Sequence, residues 1–71
     1  MSLEGKIFQH YKGKRYRVIG IAKHSETLED LVVYECLYEN PSGKLWVRPK
    51  EMFLSEVEVD NKKIQRFKPV L

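Results

Sequence analysis

Leu31-Val32-Val33-Tyr34-Glu35-Cys36-Leu37-Tyr38, followed by Asn40-Pro41-Ser42-Gly43 and then Leu45-Trp46-Val47, is the stretch on which the fold turns. Successive side chains of an extended chain point to opposite faces, so Val32, Tyr34, Cys36 and Tyr38 share one side and Leu31, Val33, Glu35 and Leu37 the other. A run this rich in β-branched and aromatic residues predicts a strand buried on one face and largely apolar on the other, hence a central one. Asn at the first turn position, Pro preset for the second and Gly at the fourth are the chemistry of a type I turn. The chain should therefore fold back as a hairpin onto Leu45-Trp46-Val47.

The same short rhythm extends in both directions. Upstream, Lys6 to Tyr11 reads as an edge strand, with Phe8 and His10 on one side and Ile7 and Tyr11 on the other. The next run, Arg15 to Ala22, enters from solvent and is expected to become buried on both faces over Val18-Ile19-Gly20-Ile21-Ala22, Gly20 marking a bulge or bend. Downstream, Pro49 ends the tryptophan-bearing strand and suits the start of one helical turn to Phe53, from which Met52 and Phe53 are expected to plug the core. Val57 and Val59 then alternate with Glu56, Glu58 and Asp60, and Asp60-Asn61 can take the positive backbone angles of a tight hairpin. The chain returns through Ile64 to Phe67. This pattern predicts an all-β fold in a single domain over residues 1–71: a small SH3-like, strongly bent antiparallel barrel of five or six short strands with one helical turn. The alternative is α+β, with a true helix over 25–31 or 49–55.

Seventy-one residues, 42% hydrophobic and 32% charged, suit one small core and exclude disordered, collagen-like and coiled-coil classes. Cys36 is the single cysteine, so no intrachain disulfide framework can form, and its apolar surroundings predict a buried, inert thiol. The longest uncharged apolar run, Leu31 to Tyr34, is far too short to span a membrane, and the N-terminus lacks the apolar centre of a signal peptide. A soluble cytoplasmic protein with no membrane association is the expectation. The net charge of +3 conceals an asymmetry: residues 1–23 carry +5, residues 24–60 carry −6 and residues 61–71 carry +4. Terminal strands that pair with each other would gather one basic face opposite an acidic one, whereas interleaved charges would simply solvate the surface.

Two stretches draw attention as a site. The polar loop His24-Ser25-Glu26-Thr27-Leu28-Glu29 resembles a hydrolase triad superficially, but neighbours in an extended chain alternate, so Ser25 would face away from His24 and Glu26. A structural role competes: Ser25 and Thr27 can bond local amides, and Thr27-Leu28-Glu29-Asp30 has the form of a capping box. Trp46 and Arg48, two apart in a strand, share a face, and an indole beside a guanidinium can stack or hold an aromatic or anionic ligand. A lone Trp in so small a fold is expected to serve the core, yet four tyrosines plus Trp46 exceed what that core can hide, so some aromatics should surface. Basic residues interleaved with aromatics occur in His10-Tyr11-Lys12-Gly13-Lys14-Arg15-Tyr16-Arg17, the best case for nucleic-acid contact, although no RNP1-type run accompanies it. His10, His24 and Cys36 have no metal-ligand spacing, and the glycines build no phosphate loop; neither metal nor cofactor is expected.

Taken together, His24-Ser25-Glu26-Thr27-Leu28-Glu29, Val33-Tyr34, Leu37-Tyr38, Leu45-Trp46-Val47-Arg48-Pro49, Met52-Phe53 and Arg66-Phe67 resemble a small bacterial domain-of-unknown-function family, number 1653, over nearly the whole chain. That resemblance implies no particular activity, substrate or cofactor. It implies Gly where Asn61 stands and Pro near Gln65, so the last hairpin here departs from the pattern. It also directs attention to His24, Ser25, Glu26, Thr27, Trp46, Arg48 and Arg66. The reading that follows is a non-enzymatic binding module whose ligand-binding candidates are His24, Ser25, Glu26, Thr27, Glu29, Trp46, Arg48 and Arg66, with a protein segment or nucleic acid as partner. One alternative is a small hydrolase-like enzyme or accessory using His24 with Glu26 and Arg48. Another is a structural domain that forms homo-oligomers.

Overall fold

The computed structural model describes residues 2–70. The fold is all-β, with strands β1 (Ile7–His10), β2 (Arg15–Lys23), β3 (Asp30–Cys36) and β4 (Leu45–Pro49), a one-turn helix α1 (Lys50–Phe53), and strands β5 (Glu56–Val59), β6 (Lys62–Gln65) and β7 (Phe67–Pro69). Five strands form one antiparallel sheet in the order β4-β3-β2-β1-β7, and β5 and β6 form a separate hairpin. No strand pairing among the described residues closes the sheet into a barrel, and β4 and β7 are its edges. The helix of the α+β alternative is absent over 25–31, where the chain makes turns instead, and only one turn forms at Lys50–Phe53.

Several elements differ from the sequence expectations for identifiable reasons. The first strand is interior and not an edge, because β7 pairs with its far side at Phe8↔Pro69, Gln9↔Lys68 and His10↔Phe67. The return from Ile64 to Phe67 is two strands, not one. Arg66 breaks it by changing partners: its amide donates to the Ser55 carbonyl, while its carbonyl accepts from the Tyr11 amide. In β2 the expected irregularity occurs, a register shift between Val18 and Gly20. Burial of both faces there does not follow, since Val18 is 1% exposed but Ile19 and Ile21 are 46% and 43% exposed. Ile19 lies on the outer side of the sheet, which has no covering layer at that point, and Ile21, turned by the shift to the face of Val32, stays outside the buried cluster. A tight turn forms where the sequence places one, its Gly43 amide bonded to the Asn40 carbonyl at 3.0 Å and the Asn40 Oδ1 accepting from Ser42.

The core lies on the sheet's inner face. Phe8, Val18, Val32, Tyr34, Phe53 and Phe67 form one buried cluster, with Cys36 buried beside the 40–43 turn. Phe53, brought inward by α1, is fully buried; removing such a ring from water contributes about 1.5–3 kcal/mol. It stacks on Phe67 with centroids 4.1 Å apart and meets Phe8 edge-on at 5.2 Å. Met52, the other residue expected to plug the core, points outward at 46% exposure because adjacent positions in a single helical turn cannot both face inward. On the outer face Glu35 pairs with Arg17 and Lys44.

Candidate functional site

Phe67 is the ring from which the inner-face site is built. Phe53 occupies one of its faces, and the Arg48 guanidinium lies over the ring at 5.2 Å, which puts it on the other. His10 approaches the same ring edge-on at 5.0 Å, Tyr34 at 5.7 Å and Tyr16 at 5.8 Å. Tyr16 continues to Tyr38, ring to ring at 5.6 Å, and their hydroxyls are hydrogen-bonded at 3.0 Å. His10 continues the other way to Tyr11 at 4.5 Å. The result is an unbroken line of rings from Tyr11 through His10, Phe67 and Tyr16 to Tyr38. Shallow concavities lie at both of its ends, one lined by Tyr38, Asn40 and Lys44 and the other by His10, Tyr11 and Lys68.

Strand register explains why these side chains meet. Trp46 stands opposite Tyr34 and Arg48 opposite Val32, so both residues of β4 project from the inner face. His10 stands opposite Phe67 across the β1–β7 pair. Arg48 is partly buried, donates from Nε to the Tyr34 hydroxyl at 3.4 Å, and belongs to none of the ion pairs among the described residues. Further cations lie along the line of rings. Lys14 sits 4.7 Å above the Tyr38 ring, Lys12 is 5.8 Å from that of Tyr11, and Arg66 is held by a bond from Nε to the Ser55 hydroxyl.

The electrostatic consequence is registered by His10. Partial burial pushes its pKa below the ordinary 6.5, and the positive charges of Arg48, Lys12 and Arg66 push it in the same direction. Its Nδ1 accepts from the Lys12 amide, which places the proton of the neutral ring on Nε2. Tyr16 is raised well above the usual phenol range, by burial first and then by its bond to Tyr38. The patch thus combines a positive field with a Tyr16 hydroxyl that stays protonated. It can attract an anion and offer donors, but it presents no nucleophile.

The 24–29 loop is elsewhere. Lys23↔Asp30 closes the β2–β3 hairpin beneath it, and β4 meets that end of β3 at Leu31↔Pro49. Trp46 pairs four residues further along β3 from Asp30, about 13 Å at the rise of a strand, and its indole N–H donates to the Gly43 carbonyl in the opposite turn. The loop and the tryptophan therefore do not flank one groove. Trp46 is 38% exposed and not part of the core, as suits an edge strand. Within the loop, the His24 Nδ1 accepts from the amides of Glu26 and Thr27, and the Thr27 hydroxyl accepts from the Glu29 amide. Ser25, Glu26 and Glu29 are exposed. Beneath them the Lys23–Asp30 pair at 2.7 Å holds the Asp30 carboxyl below the usual range. The loop spends its His24 and Thr27 side chains on its own backbone, including the imidazole nitrogen that a general base would need.

Of the residues singled out from sequence, Trp46, Arg48 and Arg66 project toward the line of rings, whereas His24, Ser25, Glu26, Thr27 and Glu29 stay at the far hairpin. Sequence reasoning did not find Phe67, Tyr34 or Tyr38 as site residues, nor His10 beside Arg48. The basic-aromatic run from His10 to Arg17 was the available signal. Among the described residues no group of His, Cys, Asp and Glu is arranged to hold a metal ion. No helix there is long and apolar enough to cross a membrane.

Comparison with known proteins places the chain. The profile of a family described as "Protein of unknown function (DUF1653)" matches residues 6–69. A crystal structure of a protein belonging to DUF1653 from Bordetella bronchiseptica superposes with a TM-score of 0.87 at 30% identity, covering 94% of this chain and 86% of that one. No curated protein matches. The chain belongs to the DUF1653 family.

Proposed function

We propose that this protein is a bacterial, cytoplasmic, non-enzymatic binding module built on an SH3-like curled sheet, and that it captures an anionic group of its partner at Arg48. The observation that carries this reading is a cation kept against the core without a carboxylate: Arg48 lies on Phe67 beside Tyr34, outside every ion pair of the described residues. Withdrawing a guanidinium from water is costly unless a partner restores what is lost, and the ring face restores only part of it, about 0.5–2 kcal/mol. A phosphate or carboxylate would supply the rest in bidentate form. Trp46 and Arg66 border the same face, and the ligand is an anionic protein segment or a nucleic acid. The hydrolase-like alternative lacks support, since Arg48 stands on the inner face away from His24 and the His24 Nδ1 is already bonded.

Inorganic tripolyphosphate is the minimal probe. On titration, NMR shifts should concentrate at Arg48 Nε, His10, Arg66 and the Trp46 indole, and Arg48→Gln should remove them while the remaining spectrum stays folded. Shifts confined to Lys62 and Lys63 of the exposed hairpin would reject the site. Self-association is a second reading, favoured by the outer face, where Leu45 is 64% exposed, Val47 58% and Ile19 46%, next to the unpaired edge of β4. Sedimentation velocity over a hundredfold concentration range should then show a mass that rises with concentration and falls back with Val47→Lys; one invariant monomer mass would end that reading.

A further inference from the structure

We infer that the line of rings from Tyr11 to Tyr38 binds single-stranded nucleic acid, the strand's phosphates lying against Arg48, Arg66, Lys12 and Lys14 and its unpaired bases against Tyr11 and Trp46. The inference rests on the anion site at Arg48 and deepens it by naming the polymer. Three observations carry it.

The first is alternation of charge with ring. Lys14 lies over Tyr38, Lys12 beside Tyr11 and Arg48 over Phe67, so three of the four cations are mounted on or next to an aromatic surface. An inorganic anion or an acidic peptide uses the cations and leaves the rings idle. A duplex presents phosphates but keeps its bases stacked inside. A single strand alone offers an anionic backbone and free base faces at close, regular spacing, which such surfaces accept without sequence-specific readout.

The second is exposure. Tyr11 and Trp46 are each 38% exposed, and Tyr16, Tyr38 and His10 are partly so, in a protein whose core is too small to need every ring it has. Successive rings from Tyr11 to Tyr38 are separated by 4.5, 5.0, 5.8 and 5.6 Å; Phe67 in the middle is buried and anchors the line, and the ring surface open to bases lies toward its two ends. The third is the sheet order. Pairing β1 with both β2 and β7 sets the +5 segment of residues 1–23 against Arg66 and Lys68 of the basic C-terminal segment, whose Lys62 and Lys63 go to the separate β5–β6 hairpin. Of the basic residues in those two segments, Arg17 and Lys23 are the ones found in ion pairs among the described residues. The acidic loop and Glu51 lie toward the other end of the sheet, past Pro49, and Glu39 is the carboxylate beside the Tyr38 end, so the cations around His10 and Arg48 give a polyanion a positive field there that the acidic end lacks.

Fluorescence anisotropy with the full chain tests this, using fluorescein-labelled mixed-sequence RNA and DNA strands of about ten nucleotides, within the site sizes known for small single-strand-binding domains. The comparison probes are the matching duplex, an abasic deoxyribose-phosphate strand of equal length and a polyglutamate peptide. The single strands should bind about fivefold or more tightly than the duplex and the abasic strand, and Trp46→Ala and Tyr11→Ala should each lose about fivefold or more, as stacked bases do. Replacing Lys12 and Lys14 together by Gln, both exposed and tolerable to the fold, should reduce the magnitude of the log–log salt slope by about 1.4. Equal binding of the abasic strand, or no effect of either aromatic substitution in a folded variant, overturns base recognition and reduces the face to generic charge. Polyglutamate binding lost with Arg48→Gln, with no binding of any strand, refutes the nucleic-acid inference and leaves the anion site standing. Strand binding unchanged in Arg48→Gln removes the anion site from the argument together with this inference.

Discussion

His10 reports on the site because it sits where three cations converge. Burial and the charges of Arg48, Lys12 and Arg66 all disfavour its imidazolium, so the folded chain binds that proton less readily than the unfolded chain does. The sign follows: stability is complete above the ordinary value of 6.5 and is lost as pH falls through the lower native pKa. The group is largely solvated, so the loss should be small, and the informative quantity is the titration itself. Followed by the NMR shift of the ring carbon proton, His10 should titrate below 6.5 in the free protein and move upward in Arg48→Gln. It should also move upward with tripolyphosphate bound, because an anion favours the imidazolium that the cations oppose. An unmoved titration in both experiments would mean that Arg48 and His10 do not share a field. Arg48 itself was legible in the sequence through its spacing from Trp46. What lies beneath it was not, since no local pattern indicates that Phe67, nineteen positions on, supplies the ring.

At the level of elements, strands were legible where alternation was clean and turns where their residue chemistry is restrictive. Val32, Tyr34 and Cys36 are buried as their spacing requires, and Asn40-Pro41-Ser42-Gly43 bends as its residues dictate. Misreadings arose where partners distant in sequence decide. The edge assignment of β1 failed because β7 covers its far side, and the burial of Ile19 failed because nothing covers the outer face, while Ile21, turned by the register shift to the face of Val32, stays outside the buried cluster. Asp60 and Asn61 have φ of 52° and 64°, so the hairpin forms with Asn where the family resemblance implied Gly. Two glycines that look equivalent in sequence are not equivalent in structure. Gly43 has φ of +133°, a region closed to side chains, whereas Gly20 has no such backbone and an added Cβ would meet only the end of the Glu4 side chain at 3.5 Å. Gly43→Ala should therefore cost about 1 kcal/mol or more, while Gly20→Ala should be neutral or stabilising by up to about 1 kcal/mol through a less disordered unfolded chain. Urea denaturation of both variants decides; a greater loss at Gly20 than at Gly43 would show that the bulge, and not the turn, depends on glycine.

Across the whole molecule, chain order separates the charges and sheet order determines where they collect. The basic ends meet because β1 and β7 pair, an outcome the sequence left open against interleaving. Lys62 and Lys63 are exceptions, carried onto the β5–β6 hairpin where Lys63 stands opposite Glu58. The remaining cations near the rings repel one another across distances comparable with the screening length of about 10 Å at 0.1 M salt. Segregated and interleaved charge layouts then differ in the sign of the salt effect. With interleaved charges, screening weakens attractions and lowers stability. Here it weakens repulsion within the basic region, and the three ion pairs it also weakens are solvent-accessible ones worth about 0–1 kcal/mol each. Raising sodium chloride from low to physiological concentration should accordingly raise the thermal midpoint by a few degrees, the shift that about 1 kcal/mol produces in a domain of this size. Lys12→Gln with Lys14→Gln should flatten that dependence, since those two cations contribute to the repulsion and neither is in an ion pair of the described residues. A midpoint that falls with salt in the native chain would show that attraction between the basic and acidic parts outweighs the crowding of cations around Arg48, and the positive field required at the line of rings would then be too weak to select an anion.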